Sequence, residues 1–383
     1  MGRGSVAVLD VRSSELTVIV GEKGVNNTFL FKTMRTEPYD GYQNGAFFDV
    51  ANLKESVLRA LAAAEQVCGE RIKKLYIGVP GEFTKVIPRE QEIGFPKKRK
   101  IGQKELDMLF ESGREDVENH SFMRAASMIY VTADNRRVVD PAGLSSTGLS
   151  GVLSYFYCTN YFVKTMEDIF SGTKIVLEYL PAQLAMASYL IPPETRDEYA
   201  LFLDVGFLSS SILVMLGGGA LLQKTFWAGR GQIAFRLMQK FSLPYDAALA
   251  LLASSNLYVR SDVKMREFMH AGISYEIDMD VMTEEIKAGL DELCESVGEV
   301  LEDCAGKEIE NKPLYYSGEG MDGIRGGAEH ISKRLSRVCE LLVPDLAYYN
   351  KPAMSSRVAL LDMAYEENRK RGLLYRLLNG FGG

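Results

Sequence analysis

The segment ALFLDVGFLSSSILVMLGGG, residues 200–219, contains an apolar strand that ends at an acid, a turn rich in hydroxyl groups, and a second apolar strand. A similar hairpin, VAVLDVRSSELTVIVGEKG, occupies residues 6–24. Both contain Leu-Asp-Val at the same point of the hairpin. A hairpin that recurs in this way predicts that the chain arose by duplication of one strand-rich unit.

The elements that follow each hairpin also recur in the same order. A third strand comes next, then a helical stretch, then a last strand that ends at glycine; the third and last strands are residues 27–35 and 73–81 in the first copy, and 220–229 and 312–320 in the second. Three antiparallel strands, a helix and a parallel strand, used twice, predict an α/β fold of two lobes with a central cleft for a ligand.

Composition narrows the class of protein. A chain of 383 residues that is 46% hydrophobic is long enough for more than one compact part. Its net charge of −7 argues against nucleic-acid binding, which needs clustered cations. The five cysteines are scattered, and no metal-binding spacing joins them to the three histidines. Without a secretion signal or an apolar run of about 18 residues, the sequence predicts a cytoplasmic protein.

Several further segments carry a resemblance to a known family. They are KKRKIGQKELDMLFESGRED (97–116), VVDPAGLSS (138–146), KIVLEYLPAQLAMASYL (174–190), YYSGEGMDGIRG (315–326) and NKPAMSSRVALLDMA (350–364). In this order they resemble FtsA, the bacterial cell-division member of the actin, Hsp70 and sugar-kinase superfamily. PilM, a pilus-assembly relative with a similar inserted subdomain, is the alternative that these motifs leave open.

The resemblance implies a duplicated actin-like (ribonuclease H-like) α/β fold with an inserted α+β subdomain. The expected parts are a first lobe at 1–81 and 158–199, the inserted subdomain at 82–157, a second lobe at 200–365 with a small helical subdomain at about 234–300, and a basic amphipathic tail at 366–383.

The resemblance also implies a nucleotide cleft. In the family, one hairpin from each lobe holds the phosphates through backbone amides, and an acid in each hairpin orients water around magnesium. The matching candidates here are Asp10, Ser13, Ser14, Asp204, Gly206, Ser209, Ser210, Gly229, Gly231, Gly318 and Gly320.

The same comparison reveals departures from the family pattern. Arg12 replaces a glycine of the first hairpin, and Phe207 and Leu208 replace glycines of the second, so side chains stand where a phosphate approaches backbone. The helix at 248–252 lacks the family's carboxylate and ammonium groups. The sequence therefore disfavours ATP and magnesium and predicts a degenerate cleft. We expect Arg12 or Arg230 to supply positive charge to the two acids.

An enzyme is the less favoured class, at most a weak ATPase. Ser209, Ser210 and Ser211 have no histidine partner evident in the sequence, and the GxSxG pattern of esterases is absent. An active ATPase or kinase remains the enzymatic alternative.

The segment ENRKRGLLYRLLNGFGG, 367–383, changes the composition from acidic to basic. At helical spacing its apolar side chains form a stripe about 140° wide, with cations at its head. Such a helix can lie in a membrane interface, and FtsA resemblance implies that role; docking on a protein surface is the alternative. The candidate membrane residues are Lys370, Arg371, Leu373, Leu374, Arg376, Leu377, Leu378 and Phe381.

Taken together, these features predict an FtsA-like cytoplasmic scaffold that links an FtsZ-type filament to the inner face of the cell membrane. The inserted subdomain is expected to contribute to self-association. The stretch 234–287 is the expected filament surface, with Phe235, Met238 and Tyr258 as candidate contacts. A PilM-like adaptor in pilus or secretion assembly is the alternative.

Overall fold

The computed structural model describes residues 4–24, 28–259, 263–304 and 308–379, with side chains described as far as Arg369. The chain divides into two compact units. The first unit contains residues 1–199, 213–223 and 356–383, and the second contains residues 200–212 and 224–355.

The first repeat begins with a strand, VAVLDV, that is buried along its whole length and is apolar except for Asp10. The helix of this repeat is capped at its N-terminus by Asp49, whose carboxylate accepts from the amides of Ala51 and Asn52, and at its C-terminus by Gly69, which has a φ of +69°. In chain order the elements are β1 (Val6–Val11), β2 (Glu15–Lys23), β3 (Phe29–Pro38), β4 (Tyr42–Gln43), β5 (Ala46–Phe47), α1 (Val50–Cys68) and β6 (Lys74–Val79).

The inserted subdomain is a sheet of four strands with one helix. Its elements are β7 (Thr84–Lys100), α2 (Gln103–Ser112), β8 (His120–Thr132), β9 (Arg137–Val138) and β10 (Ser145–Thr159), and the strand order is β7-β10-β8-β9. Two buried tyrosines of β10 bind the backbone of α2 and of the loop that follows it. The hydroxyl of Tyr155 donates to the carbonyl of Phe110 in α2 (2.9 Å), and that of Tyr157 donates to the carbonyl of Glu115 in the loop (3.1 Å). Burial raises the pKa of Tyr155 to about 12, so it stays a neutral donor.

The remaining elements complete the first unit and form the second repeat. They are α3 (Asn160–Phe170), β11 (Val176–Pro181), α4 (Ala182–Leu190), α5 (Pro193–Arg196), β12 (Tyr199–Asp204), β13 (Ser210–Leu216), β14 (Gly219–Phe226), α6 (Arg230–Phe241), α7 (Tyr245–Ala253), β15 (Met265–His270), β16 (Ile273–Asp278), α8 (Met279–Asp303), β17 (Leu314–Ser317), α9 (Gly327–Leu335), β18 (Cys339–Leu341) and α10 (Ser355–Asn379).

The two five-stranded sheets have the same topology, which confirms the predicted duplication. One has the order β11-β6-β1-β2-β3 and the other β14-β13-β12-β17-β18. In each sheet, the strand that contains the acid lies between its hairpin partner and a parallel strand: β1 pairs with β6, and β12 pairs with β17. The chain therefore has a duplicated α/β fold with an inserted α+β subdomain, as the sequence predicts.

Two details differ from the predicted boundaries. The second lobe was expected to run to residue 365, whereas residues from Ser356 onward cluster with the first unit. The reason is that α10 packs on the sheet of the first unit. Leu361 lies so close to Gly21 of β2 that an added Cβ would be 2.7 Å from it, and Leu360 packs in the same way on Gly78 of β6. In addition, the expected helical subdomain contains the hairpin of β15 and β16 between α7 and α8.

The last helix, α10, continues without a break from Ser355 to Asn379. The start of the predicted tail is therefore a continuation of the helix that packs on the first unit. Within the described part of the chain, no helix has both the length and the apolar character needed to cross a membrane.

Candidate functional site

The two hairpins of the predicted cleft belong to different units. In the first unit Asp10 lies near the end of β1 with 1% of its surface exposed, and its Oδ1 accepts from the hydroxyl of Ser356 at 2.8 Å. Arg357, the next residue of α10, forms an ion pair with Glu15 on β2. Both contacts therefore come from the first turn of α10.

The turn of the first hairpin is tight and mostly buried. The amide of Arg12 donates to the carbonyl of Glu15 (2.9 Å), and the Arg12 carbonyl accepts from the hydroxyl of Tyr39 (2.6 Å). The Arg12 guanidinium lies 4.0 Å from the sulfur of Met186 on α4. Ser13 is buried and Ser14 is half-buried. Arg12 thus packs inside the unit, at the position where the family pattern has a glycine.

The second hairpin follows Asp204, which is buried at the end of β12. The hydroxyl of Ser210 accepts from the amide of Gly206 (3.3 Å) and donates to the carbonyl of Ala228 (2.5 Å). Ser209, in contrast, is half-buried. The Ser210 hydroxyl, predicted to face a phosphate, therefore binds groups of its own unit.

Successive backbone carbonyls of this hairpin accept hydrogen bonds from two other elements. The donors, each with its acceptor, are the amide of Gly320 to Val205 (2.9 Å), the amide of Arg230 to Gly206 (3.2 Å), the amide of Gly231 to Phe207 (2.7 Å) and the side-chain amide of Gln232 to Leu208 (2.6 Å). We call residues 205–208 with these donors the hairpin clasp.

The predicted glycines are the contact points of this clasp. A Cβ on Gly229 would lie 2.6 Å from the carbonyl oxygens of Gly206 and Phe207, and one on Gly231 would lie 3.1 Å from the latter. A Cβ on Gly318 or Gly320 would overlap the backbone that follows Asp204. The structure brings these glycines together on the hairpin, and their lack of side chains permits the close approach of backbone to backbone.

Behind the clasp, the crevice between α6 and α8 is closed by apolar side chains. It has no room for a water molecule, whereas small-molecule sites occupy roughly 300–1,000 Å³. A Cβ on Gly289 of α8 would lie 2.8 Å from Ile233 of α6, so the helices approach closely. The lining residues are Val205, Gly229, Arg230, Ile233, Gly289, Leu290, Leu293, Gly320 and Met321.

Two residues that sequence reasoning missed complete this region. Tyr245, at the start of α7, packs its ring edge-on against Phe207 at a centroid distance of 6.5 Å and donates to the carbonyl of Gly231 (3.2 Å). Burial raises the pKa of the Tyr245 phenol, which keeps it a donor. Gln232 lies one residue past the predicted Gly231, and only its contact with Leu208 identifies it.

Arg230, expected to balance Asp204, begins α6. Its Nε is buried and has no hydrogen-bond partner within the described ranges. A cationic role for Arg230 or Arg12 beside the acids stays a prediction.

In the second unit, the amides of Arg230, Gly231 and Gly320 donate to hairpin carbonyls, and the crevice between α6 and α8 is closed. Among the residues that the structure describes, no group of acids, cysteines and histidines could hold a metal ion.

The predicted membrane residues lie where side chains are not described. Lys370, Arg371, Leu373, Leu374, Arg376, Leu377 and Leu378 have only their helical backbone described, and Phe381 lies outside the described residues altogether. The membrane role of the tail stays a prediction.

Two curated proteins match the sequence, although no family model does. The cell division protein FtsA of Pseudomonas aeruginosa is 18% identical over 213 residues, which cover 55% of this chain and 51% of the relative. FtsA of Borreliella burgdorferi is also 18% identical, over 252 residues that cover 65% of this chain and 61% of the relative. The chain thus spans about half to three-fifths of the length of these relatives.

Solved structures resemble nearly the whole chain. The PilM-PilN type IV pilus biogenesis complex matches with a TM-score of 0.63 and 16% identity, covering 94% of this chain and 98% of the other. MreB5 of Spiroplasma citri bound to ADP matches with a TM-score of 0.56 and 9% identity, covering 97% and 98%. At these identities the structural likeness establishes the fold. The chain is FtsA-like in sequence and has the actin-like ATPase fold.

Proposed function

We propose that this chain is a cytoplasmic FtsA-like scaffold, which links an FtsZ-type filament to the inner face of the cell membrane through its basic tail and has a degenerate nucleotide cleft. Similarity to FtsA supports the cell-division role. The closed crevice behind the second hairpin is the observation that carries the choice of a scaffold over an ATPase or kinase. In this proposal the inserted subdomain contributes to self-association.

The first test is nucleotide binding. We expect equilibrium dialysis with labelled ATP and magnesium to detect no saturable binding up to millimolar concentration. The reason is that the Ser210 hydroxyl and the carbonyls of the second hairpin are already bonded within their own unit, and the crevice behind the hairpin is closed. Saturable binding in the micromolar range would contradict the degenerate cleft.

A paired variant separates two causes of this exclusion. Phe207→Gly with Leu208→Gly restores the glycines of the family pattern but leaves Ile233 packed beside Gly289. We expect this variant not to bind ATP either, because the crevice stays closed. Binding by the variant alone would assign the exclusion to the bulk of the two side chains.

The proposed filament surface lies on the second unit, in the stretch 234–287. Phe235 on α6 is 46% exposed and Tyr258 is 64% exposed, and Met238 is half-buried. Exposed aromatic side chains are frequent anchors of protein interfaces, which supports this region as the contact surface.

The second test is pelleting with FtsZ polymers. We expect the chain to cosediment with them and Phe235→Ser to weaken the apparent affinity by about tenfold or more, the usual effect of truncating an aromatic anchor. Phe48→Ser is the matched control, because Phe48 is 55% exposed on the first unit. Both changes are at exposed positions and should leave the melting temperature nearly unchanged. If both variants pellet as well as the unaltered chain, the filament does not bind at Phe235. If the unaltered chain does not pellet with the polymers, an FtsZ-type filament is not its partner.

A further inference from the structure

One end of the inserted subdomain carries a cluster of exposed cations that the proposed function does not use. There β7 ends at Lys100, which pairs with Ser145 at the start of β10, and Arg137 of β9 pairs with Val131 near the end of β8. The four strands therefore meet side by side at this end, across about 14 Å at the usual strand spacing. We call the cluster the basic tip; its members are Lys97, Lys98, Lys100, Lys104 and Arg137.

A large bulge in β7 exposes two of these lysines. Residues 95–98 of β7 stand opposite the single residue Thr147 of β10, because the regular pairing is interrupted there. Phe95 is buried and lies 4.7 Å from the Arg99 guanidinium, which fixes the base of the bulge. Bulges of this kind turn side chains away from the sheet, and both lysines of the bulge are exposed.

The five cations of the basic tip have no ion-pair partner among the residues that the structure describes. The two other arginines at this end, Arg99 and Arg136, are in contrast paired with acids. Segments 97–107 and 134–140 together contain seven cations and four acids, a net charge of +3 in a chain whose net charge is −7. A local excess of positive charge on an acidic protein favours an anionic partner at this position.

We propose that the basic tip binds anionic lipid headgroups, as a second membrane contact in addition to the tail. The proposal rests on the proposed function for the membrane attachment itself. The tail begins beside this subdomain, because Glu367 of α10 pairs with Arg124 of β8 at 3.3 Å. From Arg124 to Thr132 β8 spans about 26 Å, and α10 continues for about 18 Å beyond Glu367, which keeps both cationic segments within reach of one membrane surface.

The composition of the basic tip favours lipid over nucleic acid. Four of its five cations are lysines, whose compact ammonium groups act as point charges toward headgroup phosphates. Val139, which follows β9, is 64% exposed and places an aliphatic group beside the cations, as in segments that lie at a membrane interface. Aromatic side chains that could stack on bases are not exposed in segments 95–107 and 133–144, both of which the structure describes.

Cosedimentation with vesicles of phosphatidylglycerol and phosphatidylcholine tests the proposal on the full chain. The tip variant removes three charges and is Lys97→Gln, Lys98→Gln and Lys100→Gln. The control variant removes three equally exposed charges elsewhere on the first unit and is Lys54→Gln, Lys164→Gln and Lys174→Gln. A lysine beside an anionic surface contributes about fivefold in binding, so we expect the tip variant to bind about tenfold or more weakly and the control to change less than about threefold.

Hydrogen exchange adds a local measurement that does not depend on the tail. When the vesicles are added, we expect the amides of residues 95–104 and 133–144 to exchange about threefold or more slowly, while those around the three control lysines keep their rates. Both variants should keep the melting temperature of the unaltered chain, because all six changes are at exposed positions.

The outcomes separate this proposal from the proposed function. If the unaltered chain binds vesicles, but the two variants bind equally or exchange at the tip is unchanged, the basic tip does not bind lipid and the tail alone attaches the chain. If the unaltered chain does not bind vesicles, both proposals are wrong. If only the tip variant loses binding to polyuridylate while the two variants bind vesicles equally, the cations serve a nucleic acid instead.

Discussion

Replacing Gly217 with alanine is expected to lower the free energy of unfolding of the first unit by about 3 kcal/mol. Gly217 opens the turn between β13 and β14 with a φ of +58°. A Cβ there would overlap the carbonyl of Met128 on β8, which is backbone and cannot rotate away. Both the left-handed conformation and the overlap oppose any side chain.

The turn is also fixed by hydrogen bonds that the overlap would disturb. The amide of Gly217 donates to the carbonyl of Arg196 (2.5 Å), and its own carbonyl accepts from the Arg196 guanidinium (3.1 Å). The amide of Gly218 donates to Ser127 (3.0 Å). A shift of the turn would weaken all three contacts, which is why we expect the loss to exceed that of a simple glycine substitution.

Urea denaturation measures this effect, and Gly172→Ala is the control. Gly172 has a φ of +82°, and an added Cβ there meets no atom within 4 Å. It should therefore show only the conformational cost, about 1 kcal/mol. The slope of the transition should be the same in both variants, since neither changes the surface exposed on unfolding. Equal losses in the two variants would show that the contact with β8 adds nothing.

Deletion of residues 369–383 is expected to abolish cosedimentation with anionic vesicles. The deleted segment contains four cations, each worth about 1 kcal/mol beside an anionic surface, and the apolar stripe adds to this. Together these terms correspond to a loss of about a thousandfold or more in binding constant. The body should remain folded, because the last buried side chain of α10 is Ala364.

Two controls make the vesicle experiment specific. A tail of the same composition, rearranged so that its leucines no longer share one face, keeps the charge and loses the stripe; we expect it to bind weakly and in a salt-dependent way. Neutral vesicles should reduce binding of the unaltered chain. Unchanged pelleting of the deleted protein would remove the tail as the anchor, and capture of the tail by a protein surface would become the better explanation.

The topology could be predicted from the sequence because its signals are local. The strands of the hairpins at 6–24 and 200–219 are largely apolar or alternate with polar residues, and the recurrence of the hairpin identifies the duplication. The inserted subdomain was predicted at 82–157, and its outer strands in the structure run from Thr84 to Lys100 and from Ser145 to Thr159. Such patterns depend on which residues neighbour each other along the chain, and these are fully given by the sequence.

The roles of the site residues were harder to predict. Gly229, Gly231, Gly318 and Gly320 were recognised as a set, but the sequence could not tell whether they faced a phosphate or the hairpin. The contact of Ser356 with Asp10 joins residues 346 positions apart in the sequence. Because the sequence does not show this contact, the predicted second lobe extended to residue 365, beyond the start of α10.

The sequence by itself determined the duplicated fold, the replacement of hairpin glycines by Phe207 and Leu208, and the basic amphipathic composition of the tail. Only the tertiary structure decided that carbonyls 205–208 occupy the donors of α6 and Gly320, and that α10 packs on the first unit. The physical reason is that strand and helix periodicity is set by adjacent residues. The partner of a buried amide, in contrast, is set by segments that meet only after folding. A glycine in the sequence indicates a close approach to the backbone, but it does not show whether a ligand or another segment of the chain makes that approach.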